Sequence, residues 1–154
     1  MMQDNVVNTY VEKKLKLSLA QWGDNVKECR KKEEQSTLSF DPKSLEKLNV
    51  TLDEFRIATI ALNHKNYAKC VKNKRDEYMY TSLLVYKIKQ EYREKSKDAL
   101  NFLLVSLPST EVLEALANYE KLSSKVKTYF EQSIGNEPFD IIKVSIPILE
   151  YFRK

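Results

Sequence analysis

Glycine is nearly absent from this chain. Two are present, Gly23 and Gly135, and the 111 residues between them contain none. Proline is similarly confined, with none between Pro42 and Pro108. Sheets of short strands need frequent turn residues, and Rossmann or P-loop sites need glycines where the backbone approaches phosphate. Both classes are thereby disfavoured. The expectation is an all-α fold: a compact single-domain helical bundle of about five or six helices over residues 1–154, large enough to bury one core without staples.

The helices can be placed by their periodicity and start signals. Val7, Val11, Leu15, Leu19 and Trp22 recur every three or four residues and predict a first helix from Asp4 to Trp22, which Gly23, Asp24 and Asn25 punctuate. An exposed helical turn or two is expected over Lys27–Glu34, then a loop over Gln35–Ser39. Asp41 can cap a short helix that has Pro42 in its first position, with Phe40 stapling onto Leu45. Thr51 and Glu54 then spell a capping box, with Val50 placed to pack on Phe55. The helix started there carries Ile57, Ile60, Ala61, His64, Ala68 and Val71 on one face and is expected to end near Arg75.

From Asp76 to Leu107 the pattern allows one long helix or two, with Tyr78, Val85, Tyr92 and Ala99 at seven-residue intervals. Met79, Leu83 and Leu84 at its start, and Leu100, Leu103 and Leu104 at its end, predict two buried ends around a charged middle. Beyond Pro108, a helix capped by Ser109 or Thr110 is expected to run to Gly135 as a left-handed cap. Asn136 and Pro138 read as a further start. Residues 139–152 fit a kinked helix through Pro147, with a strand as the alternative.

Charge is the second informative feature. The net charge of +4 sits almost wholly in Phe55–Arg75, which holds Arg56, Lys65, Lys69, Lys72, Lys74 and Arg75 and no acid. Lys65, Lys69 and Lys72 repeat at helical spacing, where like charges repel by a few tenths of a kcal/mol per pair. An external anion, or acids elsewhere in the fold, would relieve that repulsion. Lys74 and Arg75 have a second use, complementing a helix C-terminus. The candidate binding residues are therefore Lys65, Lys69, Lys72, Lys74 and Arg75, with Tyr67, Tyr78 and Tyr80 as flanking aromatic contacts.

Chemistry is harder to find. His64, the single histidine, is expected to pack structurally, having no sequence-adjacent carboxylate or serine. Arg56 and His64 are similar to the Arg…His motif of HEPN-type ribonucleases, in which four to six residues intervene; here seven do, so the motif is not met. Cys29 and Cys70 are read as free thiols, because two cysteines make no disulfide framework and no CxxC or Cys/His cluster would hold a metal. Glu33 and Glu34, beside Lys31 and Lys32, read as a solvated helix face. No catalytic residue, metal or cofactor is predicted.

Free thiols, the lack of an apolar leader and the lack of a run of about 18 apolar residues point to a cytoplasmic protein away from membranes. The expected function is a non-catalytic helical binding protein, an adaptor, inhibitor or regulatory subunit. Its partner would be an acidic protein surface or a larger macromolecular complex. The alternative is a sequence-nonspecific nucleic-acid-binding subunit of a nucleoprotein complex, and a HEPN-like ribonuclease is a minor one. Small, glycine-poor, Lys/Asn/Tyr-rich chains are common among phage and mobile-element products. Oligomeric state is not predicted.

Overall fold

The computed structural model describes residues 2–88 and 101–154, with side chains from Val6 onward. Every regular element among them is a helix, so the fold is all-α. The order is α1 (Met2–Gln35), α2 (Pro42–Lys47), α3 (Leu52–Ile88), a helical stretch over 101–106, α4 (Thr110–Glu120), α5 (Ser124–Ile134) and α6 (Ile141–Phe152). The chain divides into two units. The first is Met1–Glu28 with Val71–Leu107, the second Cys29–Cys70 with Pro108–Lys154.

Local capping grammar accounts for several helix starts. The Asp41 side chain accepts from the Lys43 N–H and Pro42 opens α2. At α3 the Glu54 N–H donates to Thr51 Oγ1 (3.1 Å) and the Thr51 N–H to Glu54 Oε1 (3.3 Å), a closed capping box. Ser109 caps α4 through the Val112 N–H.

Elsewhere the structure departs from the sequence expectations. Helix α1 runs through Gly23 without a break. One glycine costs a helix about 1 kcal/mol, and the buried positions Val11, Ser18, Trp22 and Cys29 continue on one face across it. Helix α3 likewise passes Arg75, where neither glycine nor proline stops it, so Lys74 and Arg75 lie mid-helix and do not complement a C-terminus. The helix expected from Ser109 to Gly135 is two, because Ser123 caps a new start by accepting from the Val126 N–H. Gly135 has the positive φ foreseen for it (70°), but its ψ of −147° lies outside the αL basin, in a region open essentially to glycine alone. The last helix begins at Asp140, whose carboxylate accepts from the Ile142 and Lys143 N–H groups. It is helical through Pro147 to Phe152, which disposes of the strand alternative.

In the first unit Val11, Trp22, Val71, Tyr78 and Val85 are buried. Trp22 and Tyr78 stack with ring centroids 5.2 Å apart. Buried Ser18, Thr81 and Ser82 return their hydroxyls to carbonyls of their own helices, those of Leu15, Glu77 and Tyr78, so these polar groups cost little. Met79, Leu83 and Leu104, expected in the interior, are exposed, as is Phe102, and Leu84 and Leu103 are half-buried. Tyr92, Ala99 and Leu100 lie outside the described residues.

The second unit has the larger core. Phe40, Phe55 and Phe130 meet with centroids 5.4 to 6.0 Å apart. Leu45, Leu62, Phe139, Val144 and Ile148 complete the packing around them. Two asparagines of α3 tie the segment before α6 to this core. Asn66 Nδ2 donates to the carbonyls of Gly135 (3.1 Å) and Glu137 (3.0 Å), and Asn63 Oδ1 accepts from the Phe139 N–H (3.2 Å).

The cysteines are not free thiols. Cys29 and Cys70 form a disulfide with a Cα–Cα distance of 6.0 Å. A separation of 41 residues hides the pairing in sequence, whereas long helices bring α1 and α3 side by side at these positions. The bridge also removes the cysteine argument for a reduced compartment.

Candidate functional site

Beside that disulfide the second unit opens a cleft of about 350 Å³, lined by Arg30 and Glu33 from α1, Ile60, Asn63, His64 and Tyr67 from α3, Val112 from α4 and Ile141 from α6. Cys29 precedes Arg30, and Cys70 lies three residues beyond Tyr67, so the bridge fixes the register in which the two helices present these side chains. The asparagine bonds described above hold the segment that delivers Ile141. Three of the polar groups, Arg30, Glu33 and Asn63, were not picked out in the sequence as candidates. Glu33 looked like its neighbour Glu34 there, but Glu34 is exposed and Glu33 is half-buried.

Electrostatics separate Glu33 further. Burial raises its carboxyl above the ordinary 4.5; Arg30 opposes the rise, and Asp140 and Glu34 add to it. A desolvated carboxylate facing a cavity is the kind of group that functional sites collect. His64, read from the sequence as a structural residue, sits half-buried on the wall of this cleft.

A second cavity of about 430 Å³ adjoins the first, sharing Ile60 and Ile141 as a common wall. Its lining is largely apolar: Leu52, Phe55, Thr59 and Leu149, with Asp53, Arg56 and Ser145 at its margins. Arg56 belongs to this second cavity and pairs with Glu111 at 2.8 Å. Arg56 and His64 thus line different cavities.

The predicted basic stripe lies along α3, much of it engaged by the protein's own acids. Lys65 pairs with Glu120 (3.4 Å) and lies over the Tyr119 ring, 4.9 Å from its centroid. Lys69 reaches Asn136 Oδ1 at 3.5 Å. Lys72 and Arg75 both contact Asp76, at 2.8 and 3.5 Å, and the Lys72 hydrogen bond holds that carboxyl below its ordinary 3.8. Lys74 is half-buried. The three flanking tyrosines do not act as a set: Tyr67 lines the polar cleft, Tyr78 is buried against Trp22, and Tyr80 is exposed.

No family model matches the chain, and no curated protein or solved structure does either.

Proposed function

We propose that this protein is a non-catalytic binding module that holds another protein, as an adaptor, inhibitor or regulatory subunit. One observation carries the reading. Among the described residues seventeen large apolar side chains are exposed, and thirteen of them belong to the first unit. Tyr80, Leu83 and Tyr86 on α3, Tyr10 and Leu17 on α1, and Val105 are more than half exposed. Single exposed apolar residues are ordinary, but a concentration of them marks interaction surfaces. Tyrosine and methionine are also the residue types that protein interfaces favour.

A protein partner fits better than nucleic acid because Lys65, Lys72 and Arg75 already face carboxylates, which lowers the potential a phosphate backbone would meet. Among the described residues no helix is long and apolar enough to cross a membrane, so the apolar side chains are not those of a membrane span.

The test compares two variants for capture of partner proteins from the native host. Leu83→Glu with Tyr86→Glu is expected to abolish capture, whereas Lys65→Glu with Lys69→Glu and Lys72→Glu retains it. The opposite pattern contradicts the proposal. So does binding to generic duplex DNA whose log K falls with log salt by about 0.9 per phosphate contact and flattens in the lysine variant.

A further inference from the structure

We infer that the polar cleft of the second unit binds a small zwitterion with an apolar side chain, such as an aliphatic α-amino acid, its ammonium on Glu33 and its carboxylate on Arg30. The two side chains stand one helical turn apart on α1, where Cβ atoms lie about 5–6 Å from each other. Both line the cleft. Among the described residues neither closes an ion pair or a side-chain hydrogen bond, and Arg30, which is exposed, acts on Glu33 through its charge alone. Opposite charges that share a cavity without closing on each other leave room for a ligand that carries both.

The remaining walls fit the rest of such a molecule. Asn63 also lines the cleft, and with its Oδ1 accepting from the Phe139 N–H its amide N–H groups are the part of it suited to a ligand carboxylate. Tyr67, whose hydroxyl can donate, lines the same cleft. Ile60, Val112 and Ile141 supply an apolar wall, and the first and last of these lead into the adjoining apolar cavity, where an aliphatic side chain can extend. The volume of about 350 Å³ lies within the usual range for small-molecule sites, about 300–1,000 Å³. Burial strips water from the Glu33 carboxylate, no donor among the described residues replaces it, and a bound ammonium supplies one.

This site is independent of the protein-binding reading, whose residues lie in the other unit. Its test is calorimetric titration of the disulfide-bonded protein with L-leucine, L-leucinamide and 4-methylvalerate. Leucine is expected to bind saturably. Leucinamide, which lacks the carboxylate, and methylvalerate, which lacks the ammonium, are each expected to bind roughly tenfold weaker or worse. Glu33→Gln and Arg30→Gln should each lose leucine by a similar factor while melting cooperatively, and Glu34→Gln should leave it unchanged. Absence of saturable binding at millimolar leucine overturns the inference. Equal binding of either single-charge analogue overturns the zwitterion assignment without needing any variant, and leucine binding unmoved by both substitutions overturns the location.

Discussion

Glu33 and Tyr119 are two titratable residues that burial pushes the same way, each toward its protonated form. The carboxyl of Glu33 is raised by burial, so the folded protein holds its proton more tightly than the unfolded chain does. Its contribution to stability is fully present below the ordinary 4.5 and is lost as pH rises through the folded value. At neutral pH the charged form is therefore a burden. Glu33→Gln is expected to be at least as stable as the parent in urea at pH 7, with the advantage gone by about pH 4; a clear loss of stability at pH 7 would show that the carboxylate is structurally required. Tyr119 is fully buried and donates its hydroxyl to Glu131 Oε1 at 2.7 Å. Burial first, and then the hydrogen bond and charge of Glu131, push its ionisation up from 10.0. The stability it contributes is complete below that value and falls as pH rises beyond it. Tyr119→Phe should cost about 1 kcal/mol at neutral pH, the net worth of a typical hydrogen bond, and should blunt the alkaline loss. Denaturant curves at pH 7 and at alkaline pH measure both effects.

Among the elements, what was legible in the sequence was what is decided locally. The Asp41-Pro42 start and the Thr51/Glu54 box involve residues within a single turn, so their side chains name their own partners. Thr51→Ala should cost about 1 kcal/mol in urea unfolding, because the Glu54 N–H loses the hydroxyl that caps it. Gly23 misled for the converse reason: a local breaker was outweighed by burial on both sides of it. The cleft and the disulfide were out of reach because they join α1 to α3. Arg30 and Glu33 become a site only when His64 and Tyr67 lie opposite, and Cys29 finds Cys70 only across the same pair. Closing a loop with a separation of 41 residues constrains the unfolded chain by about 4 kcal/mol in the entropic account. The Cys29→Ser/Cys70→Ser protein should accordingly unfold at markedly lower denaturant than the oxidised parent. Equal midpoints would mean that α1 and α3 are held at this point by packing alone.

For the whole molecule, the contrast is between a second unit with a substantial aromatic and aliphatic core and a first unit in which thirteen of the described large apolar side chains are exposed. Composition alone could not reveal this, since Tyr78 and Tyr80 are the same residue type two positions apart, one buried and one 64% exposed. Surface substitutions away from structural contacts usually change stability by less than about 0.5 kcal/mol. Leu83→Glu should therefore leave unfolding nearly unaltered while removing partner binding. The most direct test of that binding role is photo-crosslinking in the native host, with p-benzoylphenylalanine placed at Tyr80 or Leu83 of the first unit and, as control, at exposed Thr128 of the second. The account predicts one discrete protein adduct from positions 80 and 83, absent from position 128, absent when the purified protein is irradiated alone, and lost when Tyr86→Glu is added. Equal labelling from all three positions, adducts to nucleic acid, or no adduct from positions 80 and 83 would contradict it.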